Sequence, residues 1–216
     1  MFELTGKIIV IEGLDGTGKK TQAKLLVEKM GAEYLAFPDY ESPFGKLVAM
    51  HLKGELGSLD EVTPEAASLL YAADRYQKKA EIEAKIREGK TLVIDRYSQA
   101  SYGHQAGKFG EAEQRVEFVA WLKQMESRLP KADAIVFLDL PVEASAKLRE
   151  GREAKHEGRD LNEESESHLN DSRTAYLEAA EREGWIVINC SANEGIRSVE
   201  DIHAEIMGAL SENKVI

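Results

Sequence analysis

Gly13-Leu-Asp-Gly-Thr-Gly-Lys19 follows an apolar run ending at Ile11 and precedes a helical pattern, the strand, loop and helix order of a phosphate-binding P-loop. Glycines let such a loop curl until several N–H groups face one anion at a helix N-terminus. Lys19 adds a mobile point charge for the terminal phosphates of a nucleoside triphosphate. Gly13, Asp15, Gly16, Thr17, Gly18, Lys19, Lys20 and Thr21 are therefore the candidate triphosphate-binding residues. After Lys19, where Ser or Thr normally lends a hydroxyl to Mg²⁺, stands Lys20, and an ammonium does not coordinate a cation. Thr21 or waters must replace that ligand. A second apolar run, Val93-Ile-Asp95-Arg96-Tyr97, ends in a carboxylate and a guanidinium. Asp95 suits Mg²⁺, directly or through water, or the orientation of an attacking oxygen; Arg96 suits a bidentate grip on phosphate. The plainer alternative is a salt bridge between the two.

The elements that must position these groups alternate along the chain. Short runs rich in Ile and Val predict strands at Ile8 to Ile11, Tyr34 to Phe37, Leu92 to Asp95, Ala134 to Leu138 and Ile186 to Asn189. Amphipathic stretches predict helices at Thr21 to Met30, Pro64 to Arg87, Ala112 to Ser127, Val142 to Arg149, Glu163 to Glu183 and Ser198 to Leu210. Thr63 and Pro64 suit the N-cap and first turn of the second helix. This alternation is the signature of βαβ units around a parallel sheet, whose ligands gather at the C-terminal strand ends.

The 216 residues fit one domain, 1–216, with no repeat, linker or low-complexity tract to mark a boundary. A formal charge of -11 argues against a nucleic-acid binder, which would carry a basic stripe. The lone cysteine, Cys190, permits no intrachain disulfide and reads as a small buried apolar residue. Nothing resembles a signal peptide or a membrane span, so the expected compartment is the cytoplasm.

Taken together, the P-loop, Phe37-Pro38, Leu69-Leu70-Tyr71-Ala72-Ala73-Asp74-Arg75, Asp95-Arg96-Tyr97, Val136-Phe-Leu-Asp-Leu-Pro141 and the Arg-rich stretch after Arg149 resemble the thymidylate kinases. These belong to the nucleoside monophosphate kinases, and the resemblance covers nearly the whole chain. It implies a three-layer, doubly wound, five-stranded parallel sheet with a short basic lid at about residues 149–162. It also implies transfer of the ATP γ-phosphoryl group to dTMP with Mg²⁺, giving dTDP and ADP without a covalent intermediate.

The resemblance places Tyr71 against the base, where an aromatic stack is worth about 1 to 3 kcal/mol. Arg75, one helical turn on, reaches the base edge. Asp15 accepts from the sugar 3′-hydroxyl, while Ser101, His104 and Gln105 face base and deoxyribose. His104, packed where the ribose 2′-carbon sits, would leave no room for a hydroxyl. Phe37 and Pro38 wall the acceptor side. Tyr40 is a departure, because many relatives carry an Arg there for the acceptor phosphate, and Arg96 must bear more of that charge. Within the lid, the resemblance assigns Arg152 to the transferring phosphate and Arg149 to packing near adenine, with Lys155 and Arg159 nearby. Asn189 to Asn193 contact adenine, whereas Asp139 is structural. Homodimerisation is common in the family. Tyr40 and Ser101 keep another acceptor open, such as dUMP, dCMP or a purine deoxynucleotide. A GTP-dependent switch is the rival from another class, against which stands the absence of an Asn-Lys-x-Asp segment.

Overall fold

The computed structural model describes residues 6–146, 165–192 and 195–216. A five-stranded parallel sheet carries the fold: β1 (Ile8–Gly13), β2 (Glu33–Ala36), β3 (Leu92–Asp95), β4 (Ala134–Asp139) and β5 (Ile186–Asn189), in spatial order β2-β3-β1-β4-β5. The chain runs outward from central β1 to β2, then crosses from β3 to β4 on the other side. This reversal makes the C-terminal edge around β1 the place where a ligand crevice forms. Ile8 to Ile11 are essentially inaccessible to solvent, as a central strand covered on both faces requires.

Side chains alternate across β1 and so divide the core. Ile9 and Ile11 pack with α1 (Lys19–Met30) and the C-terminal helix against one face, through Ala23, Leu26, Ile202 and Ile206. Ile8 and Val10 point to the opposite face, where α3 (Pro64–Arg87) contributes Ile82 and Ile86. On that face Phe118, Val119 and Leu122 of α5 (Ala112–Met125) pack with Leu169 and Tyr176 of α6 (Glu166–Glu183) and with Phe137 of β4. The C-terminal helix, α7 (Val199–Glu212), starts at Ser198, whose hydroxyl accepts the Asp201 amide at 3.0 Å.

The five strands and the layered α/β class agree with the sequence reading, with local differences at the ends. β1 runs on to Gly13, β2 begins at Glu33 and stops at Ala36, and α1 starts at Lys19. Two further helices were hidden from the periodicity: α2 (Pro43–Leu52) and the single turn α4 (Ala100–His104). Ser42 caps α2 by accepting the Gly45 amide at 2.9 Å, and Pro43 sits in its first turn, a start signal like that of Thr63-Pro64. A small antiparallel pair, Ser191–Ala192 with Gly195–Ile196, also lies outside the main sheet. Of the expected helix Val142 to Arg149, residues 142–146 are helical; the remainder lies outside the described residues.

Candidate active site

The P-loop leaves β1 at Gly13, where a Cβ would stand 2.7 Å from Thr17 Oγ1 and 2.9 Å from the Leu138 carbonyl, so only glycine fits between loop and β4. Thr17 Oγ1 donates to the Leu14 carbonyl at 2.9 Å, tightening the curl. Lys19, at the start of α1, is buried; its ammonium donates to Leu14 O at 2.6 Å and lies 3.8 Å from Asp15 Oδ1. Burial and the nearby Arg96 charge draw its pKa down to about 8, against the attraction of Asp15, Asp95 and Glu12. Lys20 and Thr21 are exposed.

Beside the loop, Arg96 follows β3 with φ 65, a left-handed conformation that costs a residue with a Cβ about 1 to 2 kcal/mol. Its partner is not Asp95. The guanidinium Nη2 donates to Asp15 Oδ1 at 2.6 Å and Nη1 to His104 Nε2 at 3.0 Å, whereas Asp95 Oδ2 accepts the Tyr34 hydroxyl at 3.1 Å. The local Asp95–Arg96 pairing considered from sequence is thus replaced by contacts across the P-loop. Burial alone would raise Asp15, but Arg96 and Lys19 outweigh it and hold this carboxyl far below the usual range. Burial would likewise lower Arg96, yet Asp15, Tyr176 and Glu12 hold it well above its ordinary value. His104 is buried beside that guanidinium, which pushes its pKa well below neutrality. Because Nε2 accepts from Arg96, the ring proton resides on Nδ1, a buried atom with no protein partner.

In front of Arg96 opens a cavity of about 540 Å³, the open space at its mouth included. Every residue that the sequence reading assigned to the acceptor lines it. Asp15, Arg96 and His104 contribute as one hydrogen-bonded group, Phe37, Pro38 and Tyr40 from the connection between β2 and α2, Tyr71 and Arg75 from α3, and Ser101 and Gln105 from α4 and the residue after it. Leu52 of α2, Tyr97 and Ala100 complete the lining; Ala100 lies in the Ser98 to Gln105 stretch expected to face the acceptor, whereas Leu52 carried no such expectation. The Phe37 and Tyr97 rings lie 5.8 Å apart, and the Phe37–Pro38 peptide is cis. Asp74 fixes the connection between β2 and α2 to α3, accepting the Asp39 amide and the Ser42 hydroxyl, each at 2.9 Å. Tyr71 meets the His51 ring edge-on at 6.2 Å. Tyr40 is exposed at the mouth.

Arg75 is buried and held from behind by Glu126, whose Oε1 accepts its Nε at 2.6 Å. Its two terminal nitrogens also donate, to the Tyr97 carbonyl at 3.3 Å and to Ser101 Oγ at 3.4 Å. Gln105 is almost fully buried, and both its side-chain oxygen and nitrogen lack a protein partner. A buried amide without partners is costly unless water or a ligand supplies them.

Behind the P-loop sits Glu12, fully buried at the end of β1. Oε1 accepts the Tyr97 amide at 2.8 Å and Oε2 the Tyr176 hydroxyl at 3.1 Å. Burial lifts its pKa to about 7 despite Arg96, the Tyr97 amide and Lys19. The sequence did carry a signal for it: one carboxylate inside an otherwise apolar strand. Glu126 lies 51 positions from Arg75 and had no such signal.

The remaining expected residues divide by position. Asp139 is clamped by Arg173 at 2.7 and 2.9 Å, in keeping with a structural role. Cys190 is buried, its thiol pushed up to about 12 by burial. In the loop expected to meet adenine, Asn189 Oδ1 accepts the Ser191 amide at 2.9 Å. Asn193 and the lid residues Arg149, Arg152, Lys155 and Arg159 lie outside the described residues.

Comparison with known proteins gives consistent neighbours. The thymidylate kinase family model matches residues 11–206. A thymidylate kinase of Schizosaccharomyces pombe is 30% identical over 95% of this chain and 92% of its own. A probable thymidylate kinase of Pyrobaculum aerophilum is 36% identical over 92% and 93% respectively. Among solved structures, the thymidylate kinase of Candida albicans superposes with a TM-score of 0.79 at 25% identity, covering 97% of this chain and 92% of that one.

Proposed function

This chain belongs to the thymidylate kinase family, phosphotransferases that take dTMP to dTDP with ATP, and we propose that the lined cavity seats dTMP while the P-loop holds ATP. The observation that carries the acceptor assignment is the pair of unpartnered Gln105 atoms beside Arg75. Thymine offers a donor, N3–H, next to an acceptor, O4. Gln105 supplies the complementary acceptor, and Arg75, which only donates, suits O4. Cytosine turns an amino group toward the same place and leaves that guanidinium facing a donor. Tyr71 supplies the stacking face, Arg96 the fork for the 5′-phosphate, and Asp15 an acceptor for the 3′-hydroxyl. Titration calorimetry tests this directly: dTMP is expected to bind at least about tenfold more tightly than dCMP, and Arg75→Gln to erase the difference. Equal binding of the two pyrimidines by the unaltered protein would reject the base assignment.

For transfer itself, Lys19 and the loop amides hold the donor phosphates, and Arg96 brings the acceptor oxygen into line. Basic residues in the 149–162 segment, Arg152 first and Arg149 near adenine, close the site against water. Mg²⁺ takes few protein oxygens beside waters and phosphates, and Asp95, with Oδ2 on Tyr34, keeps Oδ1 for it. When bound, the ion neutralises charge on the β- and γ-phosphates. No cluster of three His, Cys, Asp or Glu side chains stands ready for a metal among the described residues, so the nucleotide must supply most of its ligands. Thr21 is exposed in the first turn of α1, and Asp95 is the better candidate.

Residues 1–216 act in this reading as a single kinase unit. No described helix is long and apolar enough to cross a membrane. Dimerisation is supported by an exposed apolar row, Phe44, Leu47 and Met50, along α2, with Leu69 exposed on adjoining α3. Sedimentation equilibrium is expected to give a dimer, reduced to a monomer by Phe44→Asp with Leu69→Asp. A monomer in the unaltered protein would refute it.

A further inference from the structure

Glu12 belongs to none of the roles above, yet both of its oxygens lead to Arg96. The left-handed turn at Arg96 is held by two successive amides pointing back at β1: Arg96 N–H donates to the Ile11 carbonyl at 3.1 Å, and Tyr97 N–H to Glu12 Oε1 at 2.8 Å. A strained backbone persists only where its surroundings over-determine it, and here one of the two anchors is a side chain.

The other oxygen reaches the same guanidinium from the far side. Glu12 Oε2 accepts the Tyr176 hydroxyl at 3.1 Å. The Tyr176 ring stacks on Phe137 at 4.9 Å and meets His104 edge-on at 5.7 Å. It packs so tightly on α4 that a Cβ at Gly103 would come within 2.0 Å of the ring. His104, held in this way, is the residue that accepts from Arg96 Nη1.

We propose that Glu12 is the positioning residue for the acceptor-phosphate site, fixing the backbone of Arg96 through Tyr97 and its guanidinium through Tyr176 and His104. The proposal rests on the reading of Arg96 as the ligand of the dTMP phosphate. Through Tyr176 it also joins the P-loop strand to α6, the helix that follows residues 147–164.

Steady-state kinetics on Glu12→Ala, Glu12→Gln and Tyr176→Phe, with binding of a fluorescent ATP analogue measured alongside, test the role. Glu12→Ala is expected to raise KM for dTMP at least tenfold and lower kcat about a hundredfold, with ATP-analogue affinity within threefold of the unaltered protein. Glutamine keeps an oxygen for Tyr97 N–H and offers its amide to the Tyr176 oxygen, so Glu12→Gln is expected to restore both parameters to within fivefold. Tyr176→Phe, which keeps the ring, is expected to lose at least fivefold in kcat/KM for dTMP, and it decides the matter should Glu12→Ala not fold. Unchanged dTMP kinetics in folded Glu12→Ala or in Tyr176→Phe would overturn the proposal, as would equal loss of ATP and dTMP binding. Absence of transfer to dTMP by the unaltered protein would instead refute the acceptor reading, and this positioning role with it.

Discussion

Lys19→Met is expected to lower kcat for phosphoryl transfer by about 10³-fold, the scale on which a preorganised charge at a transition state is felt. The reason lies in where the ammonium sits. It is buried at the base of the P-loop, tethered to the Leu14 carbonyl at 2.6 Å and 3.8 Å from Asp15, so it is preorganised for the phosphates the loop would cradle. The loop amides survive the substitution, and ATP binding should weaken far less than turnover. Folding should survive as well. The ammonium holds only the Leu14 carbonyl and Asp15, its loss leaves Asp15 still paired with Arg96 at 2.6 Å, and methionine fills much of the same volume. Stopped-flow turnover beside a thermal melt reads both effects. Normal turnover by a folded Lys19→Met protein would remove this residue from the reaction.

Arg96→Lys is expected to be nearly as damaging although charge is conserved. The guanidinium spans Asp15 and His104 at once, at 2.6 and 3.0 Å, and a phosphate approaching it meets a planar fork. A lysine ammonium is a point charge on a flexible stem; it can hold one of these partners but not present the fork. His104 then loses the donor to Nε2 and with it the contact that fixes its tautomer. Both ground state and transition state lose the acceptor phosphate, so KM for dTMP should rise about tenfold and kcat fall about a hundredfold, with KM for ATP little changed. A defect confined to ATP would place Arg96 on the donor side instead.

Much of this site was legible in the chain because its parts are local. The P-loop, the Tyr71 to Arg75 helical turn and the Asp95-Arg96-Tyr97 strand end each carry their chemistry within a few residues, and the sheet order brings them to one edge. What sequence did not reveal is pairing at long range. Arg96 reaches back to Asp15 rather than to its neighbour, Asp95 takes a hydroxyl from β2, and Arg75 leans on Glu126 of the turn after α5. Such contacts depend on register between strands and helices that periodicity does not specify. The helix α2 escaped for another reason. Its outward residues Phe44, Leu47 and Met50 are apolar, which blurs the polar face expected of a surface helix. Glu12 was missed because the strand was ended at Ile11, although a lone carboxylate after an apolar run is a signal, and its partners Tyr97 and Tyr176 carried none.

The most direct test is ADP formation with purified protein, ATP and Mg²⁺ across dTMP, dUMP, dCMP, dAMP, dGMP, UMP and thymidine as acceptors. Highest kcat/KM is expected for dTMP, with dUMP lower by about fourfold for its missing methyl contact. With Arg75 facing an amino group, dCMP should fall about a hundredfold or more. Thymidine, which offers Arg96 no phosphate, should be inert. Preference for a purine, or ADP formed at the same rate with no acceptor present, would contradict the assignment of this cavity to thymidylate.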